Sequence, residues 1–292
     1  MIAAPRAWRQ TAGIIARQAP HGAGHWWLDL DVPAPFAPPA PGQFVQILLP
    51  PAASPVLLPR PMSVAAVTRR RGGLRLGFLY APVGTGTRAL AALSAGDRVE
   101  VLGPLGHGYP LERPGTPVLV AGGRGIAPLL FAADALARRG RRCELIFGAR
   151  SRDLLVGLDD ARRRLAAMGG RLHLSTDDGS RGTRGNVLDA LDRLSPRLAF
   201  PLALHACGPH AMLKAVARWG MRHGASCWLA MESVMACGTG VCRGCPLPRS
   251  ARAIAEFDGA KTPSLYGNRE WAMCCTEGPV FEAGELDWER IE

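Results

Sequence analysis

The chain has 292 residues, 48% of them apolar, enough for a sizeable core and more consistent with two or three domains than with one. Its net charge is +11, nearly all from arginine since Lys214 and Lys261 are the only lysines, and it is spread along the chain rather than gathered into an aromatic-interleaved stripe, which argues against nucleic acid. The opening "MIAAPRAWRQ" carries charge where a secretory leader needs an apolar run, and the longest uncharged stretch, 32–59, is too proline-rich for a membrane span, so a cytoplasmic chain is expected.

Residues 1–112 read as β structure. "GIIARQAP", "HWWLDLDV", "GQFVQILLP", "LRLGFLYAP" and "RVEVLGPLG" are short apolar or alternating runs punctuated by Gly and Pro, as a small barrel requires. "PAPFAPPAPG" at 33–42 cannot pair inside a sheet and reads as a loop. "RRR" at 69–71 reads as a turn.

From 113 to 230 the rhythm is strand, helix, strand. The strands "PVLVAGG", "CELIFGA", "RLHLST", "LALHACG" and "CWLAM" alternate with "APLLFAADALARRG", "DLLVGLDDARRRLAAMG", "NVLDALDRL" and "HAMLKAVARWGMRHG". Five strands alternating with helices predict a doubly wound parallel sheet whose ligand lies beyond the carboxyl ends of the strands. The tail, 231–292, is rich in Cys, Gly and Pro and has little periodicity. Such a segment folds poorly by burial alone, so a metal centre is expected to staple it.

Several stretches can carry chemistry, and each has a structural reading beside the functional one. Gly122, Gly123 and Gly125 follow a buried strand and precede a helix, where glycine admits a pyrophosphate to free N–H groups or merely allows tight packing. Cys207, Gly208 and Pro209 end a later strand, with the thiol either against a nicotinamide or simply buried. Thr176, Asp177 and Asp178 end another; they orient a ribose or cap a turn. Arg150 and Arg152 hold a 2′-phosphate or are solvated. In the barrel, "RPMS" offers Arg60 to a phosphate and Ser63 to a ring edge, and "GTGT" at 84–87 is a second phosphate cradle where a helix starts.

The cysteines are more specific. Cys237, Cys242 and Cys245 follow C-x4-C-x2-C, the plant-type 2Fe–2S spacing, which needs a fourth thiolate further on. Gly238, Gly240 and Gly244 let the loop wrap tightly and aim N–H groups inward, and Cys274 and Cys275 are the candidates for the fourth ligand. A zinc site of four thiolates is the alternative, though zinc sites more often use two C-x2-C pairs. Cys143 and Cys227 read as buried thiols.

The order "RPMS", "GTGT", "AGGRGIAPL", "TDDGSRG", "CGPHAML", "ESVMACGTGVCRGC", "CTEGPVF" resembles the electron-transfer subunit of the two-subunit, NAD-dependent dihydroorotate dehydrogenases, within the ferredoxin reductase superfamily. The resemblance covers nearly the whole chain and is most specific in the cysteine tail. It implies a FAD-binding β-barrel over 1–112, an NAD-binding α/β domain over 113–230 and a 2Fe–2S domain over 231–292. It implies electron transfer in pyrimidine biosynthesis between NAD(H), FAD, the cluster and a partner, an FMN-containing dihydroorotate dehydrogenase catalytic subunit, in a heterotetramer. Carried over by position, Arg60, Pro61, Met62, Ser63, Gly84, Thr85, Gly86 and Thr87 hold the flavin. Gly122, Gly123 and Gly125 meet the NAD pyrophosphate, Cys207, Gly208 and Pro209 sit near the nicotinamide, and Glu232, three residues before Met235, matches the acidic residue that precedes the family's cluster loop. The run that follows the family's fourth cysteine selects Cys275 over Cys274, since Thr276 and Glu277 come next. One departure is the long gap between Cys245 and Cys275, which holds an insertion, "RSARAIAEFDGAKTPSLYGNREW", expected beside a partner. Similar reductase subunits serve hydrogenases and ferredoxin-linked transhydrogenases. An autonomous NAD(P)H:acceptor reductase and a zinc-stapled, non-redox binding protein are the rival readings.

Overall fold

A computed structural model describes residues 8–50, 56–257 and 269–291. The N-terminal half builds a seven-stranded antiparallel sheet from β1 (Arg9–Pro20), β2 (Trp26–Pro33), β3 (Phe44–Leu48), β4 (Arg60–Ser63), β5 (Ala66–Arg70), β6 (Gly73–Tyr80) and β7 (Arg98–Leu105), with helix α1 (Thr85–Ala91) between the last two. Its order is β4-β3-β7-β1-β2-β6-β5, and the sheet curls around Leu28, Leu30, Val45, Ile47, Leu76, Phe78 and Val101. Alternation explains the curl: along β2 only every second side chain, Leu28, Leu30 and Val32, is buried.

The second layer is a parallel sheet. Its elements run β8 (Thr116–Gly122), α2 (Ile126–Arg138), β9 (Glu144–Ala149), α3 (Leu158–Met168), β10 (Arg171–Thr176), β11 (Thr183–Arg184), α4 (Val187–Leu194), β12 (Leu202–Cys207), α5 (His210–His223) and β13 (Ser226–Ala230). The strand order β11-β10-β9-β8-β12-β13 reverses direction between β8 and β12, which opens a crevice at their carboxyl ends. Strands β8 and β12 are buried along nearly their whole length, as a sheet covered on both faces requires.

The tail differs from the sequence-based expectation. It comprises β14 (Pro246–Pro248), α6 (Ala251–Ala255), β15 (Trp271–Met273) and β16 (Val280–Glu282). Strand β16 pairs antiparallel with β13 and becomes the edge of the parallel sheet, while β14 and β15 pair with each other. Phe281, Leu286 and Trp288 bury themselves in the same core as Trp219 of α5. The tail therefore has an apolar anchor of its own beside any metal: short strands hide too few residues for periodicity to show, but an existing sheet edge satisfies their backbone groups. Of the insertion, 258–268 lie outside the described residues. Among the described residues no helix is long and apolar enough to cross a membrane.

One buried group fixes a pH dependence. His205 in β12 is fully buried against Tyr109, and burial pushes its pKa down to about 3, with Arg141 adding repulsion. The native ring is neutral, whereas an unfolded histidine takes up a proton below its ordinary value near 6.5. Stability is therefore fully present above about pH 6.5 and falls on acidification by up to ~1.4 kcal/mol per pH unit until the native ring also titrates. His205→Leu is expected to lose about 2 kcal/mol less than the parent chain between pH 6.5 and 5, measured by urea unfolding at stepped pH. Parallel declines for the two proteins would remove His205 as the cause.

Candidate functional site

Two cavities meet at the crevice. The larger, about 750 Å³, lies outside the carboxyl ends of the parallel strands. Gly122, Gly123, Arg124 and Gly125 from the turn after β8 form its floor, with Gly148 to Arg150 after β9, Asp177 after β10, and Gly208 and Pro209 after β12. The smaller, about 270 Å³, lies between the two sheets. Phe44, Pro61, Met62, Ser63, Leu79, Tyr80 and Thr87 line it from the barrel side, and Ala127, Pro128, Cys207, Met231, Glu232 and Met235 from the other. Arg124 and Glu232 line both cavities.

The glycines have different reasons to be glycine. A Cβ on Gly125 would collide with the carbonyl of Cys207, so this residue serves the close contact between α2 and the end of β12. Gly123 has φ +52 and open space above it, which leaves its backbone exposed to a ligand. Gly122 and Gly208 are pressed together under Met212, whose Sδ would lie 2.6 Å from a Cβ on Gly122. Gly122 and Gly125 thus belong to the floor by packing, and Gly123 by access.

Around the smaller cavity, Gly84 caps α1, its N–H donating to Thr87 Oγ1 at 3.0 Å. Arg60 lies against this first turn: a Cβ on Gly86 would be 3.0 Å from Arg60 Cδ. One guanidinium N–H of Arg60 bonds the Leu58 carbonyl at 3.1 Å, while among the described residues its buried Nε has no partner. A buried, unsatisfied cationic donor beside a helix start is the chemistry of an anion site. Gly84, Thr85 and Gly86 flank that site without lining the cavity proper, whereas Pro61, Met62, Ser63 and Thr87 do line it. Cys207 is buried and its thiol is held well above the usual range by burial, so it acts as a small apolar wall.

The cysteine loop begins two residues beyond Met235. Its N–H groups point at sulfur: Thr239 N–H and Cys242 N–H donate to Cys237 Sγ at 3.4 and 3.5 Å, and Gly244 N–H donates to Cys242 Sγ at 3.4 Å. Burial would raise the Cys237 thiol, but those donors outweigh it and bring it down to about 6. Cys275 meets Cys245, its N–H donating to Cys245 Sγ at 3.4 Å. The bond from the Cys275 thiol, opposed by burial, draws Cys245 down to about 7. Cys274 turns the other way, its thiol donating to the Met231 carbonyl at 3.8 Å, and burial raises it. Among the described residues no group of three or more His, Cys, Asp or Glu side chains converges on a single ion; the thiols meet as the pair Cys245 and Cys275 beside the loop carrying Cys237 and Cys242. This donor set, thiolates stabilised by backbone N–H groups, suits an iron–sulfur centre. Glu277 has a structural role: it pairs with Arg249 and accepts the Met273 N–H at 2.6 Å, which braces the turn carrying Cys275.

The sequence reading missed Arg124 and His25, both of which line the larger cavity. Arg124 was legible as the one charged residue among the glycines, but His25 lies in a barrel turn about 100 residues away with nothing local to mark it. Arg150 lines the cavity, while Arg152 pairs with Asp153 at the surface. Asp178 bonds Ser180 and caps the turn, which leaves Asp177 facing the site.

Residues 119–218 match the oxidoreductase NAD-binding domain family. The electron transfer subunit of dihydroorotate dehydrogenase B (NAD(+)) from Bacillus caldolyticus is 36% identical over 250 residues, covering 84% of this chain and 86% of the relative. Its counterpart from Geobacillus thermodenitrificans (strain NG80-2) is 36% identical over 249 residues with the same coverage. Among solved structures, the NADH-dependent reduced ferredoxin-NADP oxidoreductase superposes with a TM-score of 0.77 at 28% identity, over 95% of this chain and 90% of that one. Phthalate dioxygenase reductase shares the fold, with a TM-score of 0.55 at 23% identity, over 72% of this chain and 63% of that one.

Proposed function

This chain belongs to the family of the electron transfer subunits of dihydroorotate dehydrogenase B (NAD(+)), and from that membership we propose that it is an oxidoreductase subunit carrying electrons between NAD(H) and an FMN-containing dihydroorotate dehydrogenase subunit, by way of FAD and a 2Fe–2S cluster. The observation that carries the reading is the run from Met231 to Met235. Glu232 lines both cavities, Met231 and Met235 line the smaller one, and Cys237 follows at once. On this reading one short piece of chain serves the two cavities and the cysteine loop.

The larger cavity is assigned to the dinucleotide, its pyrophosphate over Gly122 and Gly123 at the start of α2 and its nicotinamide toward Gly208, Pro209 and Glu232. Asp177 suits a ribose hydroxyl and repels a 2′-phosphate, which favours NADH over NADPH despite Arg150 nearby. The smaller cavity is assigned to the flavin ring, with Arg60, Gly84, Thr85, Gly86 and Thr87 holding its phosphates. Residues 1–112, 113–230 and 231–292 are the corresponding FAD, NAD and cluster units.

Bound FAD and a bound cluster would supply the exchange of a hydride's electron pair for electrons moved singly. The chain supplies position and surroundings. Phe44, Met62, Leu79 and Tyr80 keep water from the ring site, and Arg60 Nε offers a donor to phosphate oxygen. Cys237, Cys242, Cys245 and Cys275 are the proposed ligands, with loop N–H groups to stabilise thiolate charge. The loop has a buried side at Cys245 and Cys275 and an open side at Cys242; Val241, next to Cys242 in the chain, is exposed, and so is Val234, three residues before Cys237. That open side suits a partner's face, in a heterotetramer built on the partner's two-fold axis.

Two tests follow from this geometry. Cys275→Ser is expected to abolish acid-labile sulfide and to lower iron at least tenfold, whereas Cys274→Ser retains both, since only Cys275 meets Cys245. The reverse pattern would reassign the fourth ligand, and one zinc per chain without sulfide would sink the cluster. Val234→Asp combined with Val241→Asp should leave NADH-to-dye activity within twofold while weakening co-elution with the catalytic subunit and dihydroorotate-linked turnover at least tenfold. Full turnover in that variant would move the contact face elsewhere.

A further inference from the structure

The turn joining β1 to β2 reads His21-Gly22-Ala23-Gly24-His25 and reaches from the barrel to the rim of the larger cavity, where His25 is a lining side chain. We propose that this hairpin grips the bound dinucleotide from the barrel side, with His25 Nε2 accepting a hydrogen bond from a ribose hydroxyl. The proposal rests on reading the larger cavity as the dinucleotide site.

The first support is the tautomer. His25 Nδ1 lies 2.8 Å from the Ala23 carbonyl oxygen, a contact that requires the proton on Nδ1. The neutral ring then keeps its lone pair on Nε2, the nitrogen left for the cavity. Phosphate oxygens have no hydrogen to offer such an acceptor, whereas a ribose hydroxyl does.

The second is the shape of the turn. His21 N–H donates to the His25 carbonyl at 2.7 Å, and His25 N–H donates to the Gly22 carbonyl at 2.8 Å. Gly22, Ala23 and Gly24 all take left-handed backbone, with φ of +90, +47 and +70. Ala23 adopts it at a cost that a glycine would not incur. A Cβ on Gly22 or Gly24 would meet nothing within 4 Å, so packing does not impose this shape. What the shape achieves is to bring His25 back over the cavity.

The third is an anchor. His21 Nε2 lies 2.7 Å from Asp160 Oδ2 in the first turn of α3, and Arg163 holds the other carboxylate oxygen at 2.5 Å. The barrel hairpin is thus tied to the layer that carries the dinucleotide floor, and both cavity walls belong to one assembly.

Calorimetric titration of the flavin-loaded protein with NAD(+) gives Kd, and stopped-flow reduction by NADH gives the limiting rate. His25→Ala is expected to raise Kd about tenfold, the worth of one hydrogen bond, with full flavin content and a limiting rate within twofold. His25→Gln, whose side-chain oxygen also accepts, should recover most of the affinity. His21→Ala should weaken binding about threefold by loosening the anchor while His25 itself is intact. An unchanged Kd for His25→Ala, or His25→Gln as weak as His25→Ala, overturns the proposal. If the unsubstituted protein binds no NAD(+), the cavity assignment fails and takes the clamp with it; normal binding with insensitive variants refutes the clamp alone.

Discussion

The rest of the structure depends on how residues 231–235 are held as the chain leaves the parallel sheet. Met231 N–H donates to the Pro279 carbonyl at 2.8 Å, and His210 Nε2 bonds the Glu232 carbonyl at 2.8 Å. The first bond ties the segment to the tail, and the second ties it to the start of α5. Pairing of β13 with β16 brings Pro279 to that position, since Ala230 is in register with Val280. With the segment fixed between sheet and barrel, Met231 and Met235 become a wall of the smaller cavity, and the cysteines that follow cannot lie far from it. Cavity, junction and cysteine loop thus share one mechanical support.

The barrel closes this arrangement from the other side. Tyr109, fully buried after β7, donates its hydroxyl to the Ala206 carbonyl at 2.9 Å, and His107 N–H donates to the Gly278 carbonyl at 2.6 Å. Buried hydrogen bonds of this kind resist relative displacement of the layers, because separating them would leave polar groups unsatisfied. A relay between cofactors needs such rigidity, since its geometry must be set before any substrate arrives.

The alternating strands and the strand–turn–helix rhythm were legible because period-two and helical patterns survive over ten or more residues. The cysteine loop was legible because its spacing is itself the ligand geometry. Gly125 was not separable from Gly122 and Gly123, since packing against the Cys207 carbonyl is a tertiary fact. The anchoring of the tail was hidden for a similar reason: Val280–Glu282 is too short to announce a strand, and its partner β13 lies about 50 residues earlier. Choosing Cys275 over Cys274 required a resemblance in the sequence, whereas in the structure opposite side-chain directions separate the two thiols.

On the proposed function, electrons pass within one chain from the larger cavity to the cysteine loop through the smaller cavity. Anaerobic addition of NADH to the purified chain, followed by low-temperature electron paramagnetic resonance, tests it most directly. NADH alone is expected to produce the rhombic signal of a reduced 2Fe–2S centre, in an amount matching the sulfide content. Bleaching of the flavin with no such signal, in protein carrying its full iron and sulfide, would contradict the claim, because the loop would then be electrically separate from the cavities beside it.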